Sequence, residues 1–366
     1  MRISPGLLLR RALVGCSALA TVLAPGCPAT AAPSAVEAES VNFTQRYRAL
    51  QHGGIVRAAN SSISCRTTVT RAAAASCSAA RAGGQAAVNS DFDMFYVDVD
   101  KDPNTYNSSL GEVRLPQGAR VTYARLYWGG NLRVGEQKPP KDNGRVLFAE
   151  PDGEYKAVLA DTVVGHRVAR GADAFQASAD VTKLVRASGS GLYTVAQVNV
   201  AMGRSAAGAW GGWTLMVAYE KESEPLRHLA MWDGFDSLGP REDQVIRLRG
   251  LRFPAGAGGR AGLVAYNGDR GSRGDSLTVS TGRGGPTALG DGANPRDDVL
   301  NSTISEPASA AMKRVPAYPN TLGYDSDVLE LGKGIRRGGD QLTFRLVSQR
   351  DAAWVGALFT AVDAKQ

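Results

Sequence analysis

The chain has 366 residues, 43% of them hydrophobic and 21% charged, with a formal net charge of +7. That length calls for one large core or two medium ones. The basic excess is scattered, with no long Lys/Arg block and no interleaved aromatics, which excludes a nucleic-acid channel as partner surface.

In chain order, MRISPGLLLRR carries Arg2, Arg10 and Arg11 and no acid. The apolar run behind it is too short to cross a bilayer and leads to Ala29-Thr30-Ala31, a cleavage-type tripeptide. Residues 1–31 are therefore predicted to be a signal peptide. Arg10-Arg11 permits twin-arginine export, and the lipobox-like surroundings of Cys16 and Cys27 are poorly formed, so the route and a lipid anchor stay open. Without residues 1–31 the formal charge falls to +4. No second apolar run reaches the roughly 18 residues of a membrane span, and the tail WVGALFTAVDAKQ has no hydrophobic anchor. The expected location is secreted or extracellular, free or attached to the cell surface, with no transmembrane span.

Residues 32–52 are rich in Ala, Glu and Ser and read as a flexible lead-in. Cys65 and Cys77 are the two cysteines left after processing. In an exported protein they are expected to form a disulfide, worth about 2–3 kcal/mol for so short a loop. The intervening SCRTTVTRAAAASCS reads either as a strand on its Thr-Val-Thr core or as a short Ala-rich helix.

After Gly83, short alternating runs recur to the end: FDMFYVDV, RVTYARLYWGG, LYTVAQVNVAM, WTLMVAYE, LRHLAMWDGF, QVIRLRGLRF, AGLVAYNGD, QLTFRLVSQ and WVGALFTAVDA. They are rich in Val, Tyr, Phe, Trp and Thr and bounded by turn residues, the pattern of antiparallel strands. In RVTYARLYW neither face is purely polar, which suits a strand buried between two layers. The one good helical stretch is FQASADVTKLVRASGSG, with Asp180 as cap and Gly189 as stop. The predicted class is all-β: antiparallel β-sandwich or jelly-roll-like, two sandwiches with one or two short helices. EKESEPLRH (220–228) is the natural seam, giving a first domain over 53–224 with the disulfide and a second over 225–366. Residues 282–298 read as a long surface loop.

DVDKDPNTYNSS, LPQGARVTYARLYWGG, FQASADVTKLV, GGWTLMVAYE, LRHLAMWDGFDSL, GDSL, LNSTIS and NTLGYDSDV follow one another in that order. Together they resemble a domain-of-unknown-function family found at the N-terminal end of exported bacterial, largely actinobacterial, surface proteins that often carry Ig-like repeats downstream. The resemblance covers most of residues 53–363. It implies a cell-surface, adhesin-like or matrix-like part and no particular reaction. This chain departs from the long members in having no repeats and no wall anchor.

Within GSRGDSLTVS, Gly274 to Leu277 match the nucleophile block of a serine-hydrolase family, and Arg273-Gly274-Asp275 an integrin-type tripeptide. A serine nucleophile needs a base in reach, and His52, His166 and His228 supply no Asp-x-x-His block after Ser276. A turn into a strand is the better reading. FYVDVDKDPNTYNSS sets Asp98, Asp100 and Asp102 on alternate positions, with Asn104 beyond. Pro103 and Ser109 stand where an EF-hand needs Gly and Glu. A hard cation, Ca²⁺ above all, can still be held by oxygens from separate loops. Asp325 and Asp327 are the chief partners expected to join Asp98, Asp100, Asp102 and Asn104, with Asn267, Asp269, Asp275 and Asp233 as further candidates. The competing reading leaves the aspartates in solvent at a strand end. Among the tryptophans, Trp128 and Trp232 read as core; Trp210 and Trp213, in a Gly-rich loop, are the candidates for ligand contact.

The functional expectation is an exported cell-surface or extracellular structural or binding protein without evident catalysis, its partner a surface glycan or an extracellular protein. The alternative is a secreted carbohydrate-binding or carbohydrate-active protein using those tryptophans with Asp233 and Asp236.

Overall fold

The computed structural model describes residues 41–68, 75–84, 86–239, 243–307 and 312–365. The signal peptide and the first part of the lead-in lie outside them. The early strands are β1 (Val41–Ser61), β2 (Ile63–Thr68), β3 (Phe92–Tyr96), β4 (Ser108–Val113), β5 (Arg120–Asn131), β6 (Arg145–Ala149) and β7 (Lys156–Leu159). Then come β8 (Thr162–Ala169), β9 (Ala172–Asp180), β10 (Gly191–Ala196), β11 (Gly211–Glu220), β12 (Leu226–Ser237), β13 (Asp243–Phe253) and β14 (Gly259–Tyr266). The last are β15 (Ser276–Ser280), β16 (Thr287–Ala288), β17 (Ile304–Ser305), β18 (Arg314–Val315), β19 (Tyr324–Glu330), β20 (Gly339–Val347) and β21 (Trp354–Asp363). The helices are α1 (Cys77–Arg81) and α2 (Thr182–Ser188). The all-β, antiparallel sandwich expected from the alternation is what the chain forms. The described residues belong to one compact unit. No helix among them is long and apolar enough to cross a membrane.

A ten-stranded sheet in the order β17-β19-β14-β21-β12-β1-β11-β5-β9-β8 runs through the molecule. Its hinge is β1. Residues Val41–His52 pair with β12, and Gly53–Ser61 pair with β11. At the crossover Gly53 has φ +134°, and a Cβ there would overlap the carbonyl oxygen of Tyr219, so the turn requires glycine. Residues 41–52, expected as lead-in, are thus a strand: they complete the β12 edge.

The two halves of this sheet fold against each other. Tyr127 and Met216 from one half pack with Met231, Tyr266, Tyr324 and Phe359 from the other. Gln176 of β9 seals the seam, donating to the carbonyls of Gly234 and Gly356 and accepting from the Tyr266 hydroxyl, each at 3.0 Å. The outer face of the β11 half carries Leu126, Trp128, Trp213 and Leu215 and is covered by the five-stranded sheet β18-β4-β10-β6-β7, through Val113, Phe148 and Tyr193. The outer face of the β12 half carries Trp232, Leu263 and Leu358 and is covered by the four-stranded sheet β13-β20-β15-β16, through Leu248, Phe344 and Val279. Strands such as β5 are therefore apolar on both faces because each face meets a different core.

Cys65 and Cys77 are disulfide-bonded across a Cα–Cα distance of 5.7 Å, which ties α1 to β2. The stretch between them is strand up to Thr68 and helix from Cys77, with part of the Ala-rich run outside the described residues. In α2, Asp180 Oδ1 accepts the Thr182 amide at 2.8 Å, and Gly189, at φ +70°, closes the helix.

Candidate cation site

The loop 267–275 between β14 and β15 collects aspartates from several parts of the chain. Its first residue, Asn267, holds a left-handed conformation (φ +61°). Asn267 Nδ2 donates to the Ala352 carbonyl at 3.1 Å, and its Oδ1 accepts from Asn89 Nδ2 at 2.8 Å. Gly268 follows where a Cβ would run into the Leu300 carbonyl and the Asp325 carboxylate. This close approach brings the Asp269 amide to Asp351 Oδ2 at 3.0 Å and the Gly271 amide to Asp298 Oδ2 at 3.0 Å.

Asp275, at the end of the loop, has 0% of its surface exposed; its carboxylate makes no well-formed hydrogen bond and lies against the Ser348 hydroxyl and the Asp351 carboxyl. Asp298 Oδ1, Asp325 Oδ2 and Asp327 Oδ2 are buried without donors too. The companion oxygens are satisfied. Asp325 Oδ1 accepts the Thr303 amide at 3.1 Å, and Asp327 Oδ1 accepts from the Thr303 hydroxyl at 3.0 Å and the Ser305 amide at 2.9 Å. The backbone thus fixes one oxygen of each of Asp298, Asp325 and Asp327 and leaves the other facing inward.

Burial raises the whole set, and for all but Asp327 neighbouring acids add to it. Asp275 is pushed up to about 8, first by burial and then by the charge of Asp351. Burial raises Asp269 well above the ordinary carboxylate range, with Asp351 adding to it. It likewise raises Asp325, with Asp327 adding. Burial is also the first cause of the upward shifts of Asp298 and Asp351, and of Asp327 to about 6. The nearby cations do not cancel this. Arg57 is buried, donates to the Ser305 carbonyl at 2.5 Å, and keeps Nε and Nη1 without partners.

A buried carboxylate without donors is costly unless it takes up a proton or a cation. Among the described residues no three acidic, His or Cys side chains come close enough to clasp one ion. A hard cation here would take one or two of these carboxylates and complete its shell with hydroxyl, carbonyl or water oxygens, which Ca²⁺ accepts. Acid–base catalysis on a glycosidic bond needs carboxyls facing an open cleft; Asp275 is enclosed.

The structure places the other predicted residues differently. Asp98, Asp100, Asp102 and Asn104 lie in one turn whose carboxylates accept hydrogen bonds from nearby donors. Asp98 Oδ1 accepts from Ser108, and Asp100 accepts from the Asp102 amide, Thr105 and the Tyr155 hydroxyl. Asp102 Oδ1 accepts from the backbone and side chain of Asn104. Asp325 and Asp327 draw donors from Thr303 and Ser305, and no group of three acids joins the two stretches among the described residues. Trp210 and Trp213, expected at a ligand, are 0% exposed. Trp213 Nε1 donates to Ser109 Oγ at 2.8 Å, and Trp210 packs on Tyr266 and Trp354: Trp213 belongs to the buried strand β11, and Trp210 directly precedes it. Asp233 is held by Arg46 at 2.5 Å and faces Arg125 at 3.5 Å; Asp236 pairs with Arg167 at 2.8 Å. Both are charge partners. Asp298 and Asp351 escaped sequence reasoning; the one signal for them is an acid directly before an apolar strand-like run, in DDVL and DAAW.

No family model matches the chain, and no curated protein matches it. Among solved structures, a chain in the atomic structure of Sulfolobus Turreted Icosahedral Virus is similar at 10% identity and a TM-score of 0.22, over 70% of this chain and 86% of that one. A likeness at that level carries no argument about what this protein does.

Proposed function

We propose that the protein is an exported structural or binding component, adhesin-like, of the cell surface or extracellular space, and that a hard divalent cation, Ca²⁺ first, clamps its 267–275 loop cluster. Export is supported by the composition of residues 1–31, and the surface role by the resemblance of the later motifs. The disulfide fits an oxidising compartment. The observation that carries the clamp is the Asp275 carboxyl, fully buried against the Asp351 carboxyl with no cation paired to it among the described residues. Extracellular calcium is abundant enough to fill weak sites, with dissociation constants of about 10⁻⁴–10⁻³ M.

The test is thermal unfolding of the protein lacking residues 1–31 in millimolar CaCl₂ and in EDTA, with calorimetric titration of the metal alone. Calcium is expected to raise the midpoint in the wild type and to lose that effect in Asp275→Asn and Asp325→Asn. Equal midpoints with no heat of binding would remove the clamp.

A further inference from the structure

The loops around β16 build a second, oppositely charged site. Thr281-Gly-Arg-Gly-Gly-Pro-Thr287 faces the turn Gly332–Gly339 across a pocket of about 260 Å³, lined by Thr281, Gly284, Thr287, Lys333, Arg336 and Arg337. Lys333, Arg336 and Arg337 are all exposed, and no carboxylate among the described residues pairs with any of them. Other arginines of the protein are paired with acids, as at Arg46, Arg125, Arg167 and Arg227. Three unpaired cations at one concavity repel each other and attract an anion.

The glycines explain how the charges come together. A Cβ at Gly284 would press on Arg337 Nη1 at 2.9 Å, so its absence lets the guanidinium lie on the loop. There Arg337 Nη1 donates to the Arg283 carbonyl at 2.8 Å, which orients the fork and leaves its other N–H groups free. A Cβ at Gly334 would overlap Val279, so glycine lets the Lys333 turn sit against β15. Glu330 and Asp340, the nearest acids in sequence on either side, do not line the pocket.

We propose that this glycine-rich pocket binds a tetrahedral oxyanion, a phosphate or sulfate group, through Lys333, Arg336 and Arg337. Guanidinium forks match such oxygens two at a time, and the Thr281 and Thr287 hydroxyls add neutral donors. The volume lies below the roughly 300–1,000 Å³ of drug-sized sites, which suits one anionic group. The extracellular source of that group, an anionic glycan ester, rests on the reading of the protein as an exported binding component; the pocket chemistry does not.

Calorimetric titration at constant ionic strength tests it, with inorganic phosphate, inorganic sulfate, glucose 6-phosphate, glucose and chloride as probes. Saturable binding of phosphate or sulfate, absent for chloride and glucose, is expected. Arg336→Gln with Arg337→Gln should weaken it at least about tenfold, the loss expected for charged hydrogen bonds. Arg133→Gln, an exposed arginine of the first half, should change it less than about twofold. Tighter binding of glucose 6-phosphate than of phosphate assigns the esterified source, and equal binding the free ion; either supports the pocket. Binding that matches chloride, or that survives Arg336→Gln/Arg337→Gln and Lys333→Gln alike, overturns it. The calcium-dependent midpoint of the same variants separates a failure here from a failure of the clamp.

Discussion

The hydroxyls of Thr214 and Tyr324 lie 2.7 Å apart although Thr214 belongs to β11 and Tyr324 to β19, in opposite halves of the ten-stranded sheet. Thr214 also reaches Ser326 Oγ at 3.0 Å, and all three residues are fully buried. Removing one hydroxyl leaves another without its partner in a dry layer, at a cost of about 1–3 kcal/mol. Thr214→Val and Tyr324→Phe are each expected to lower stability by that amount, and the double variant by less than their sum. Urea denaturation of the four proteins checks it; strict additivity would mean the pair is not coupled.

Asp275 gives a pH dependence of defined sign. Its ordinary value is 3.8 and its value in the fold is about 8, so between those limits the folded state holds a proton that the unfolded chain has released. Stability from this group is therefore greatest below about pH 4 and is lost as the pH rises through about 8. The slope is at most about 1.4 kcal/mol per pH unit. In EDTA the wild type should lose stability relative to Asp275→Asn from pH 5 to pH 8, and saturating calcium should cancel the loss. Denaturation midpoints across that range measure it, and parallel profiles for the two proteins would count against the enclosed carboxyl.

Trp213 is predicted to act through packing alone. Trp213→Ala opens a large void behind Ser109 and should cost about 3–5 kcal/mol. Binding to a glycan array, compared per folded molecule, should not change. A selective loss of glycan signal at unchanged stability would return this ring to ligand contact.

Residues 53–224 and 225–366, made separately, are expected to associate or aggregate. Each would expose its side of the middle core, including Met216 and Tyr127 on one and Met231, Tyr266 and Phe359 on the other. Gel filtration of the pieces alone and mixed checks it. Two soluble, monomeric, indifferent pieces would contradict the prediction.

The strand pattern was legible because burial alternates with period two, and RVTYARLYW announced its double burial by having no polar face. The hinge strand was not legible. VNFTQRYRALQH is polar along the stretch that pairs with β12, since one of its faces is half exposed, and its partners lie some 180 residues away, at distances such as Thr44 to Asp233. The acidic cluster was legible in part. Asp269, Asp275, Asp325 and Asp327 stood out, while Asp298 and Asp351 come from loops whose approach depends on the complete sheet order. The tryptophans misled because a glycine-rich sequence reads as surface, whereas here glycines 211 and 212 let strands and rings approach closely inside the protein.

The crossover at Gly53 has a mechanical consequence. A pull on the N-terminal side of the molecule enters along β1, whose 21 residues run antiparallel to both neighbours. The ladder bonds lie across that load and must fail together in shear, first against β12 and then against β11, rather than peel one at a time. A tether attached ahead of Val41 would therefore transmit tension to both halves of the protein through a single unbroken strand.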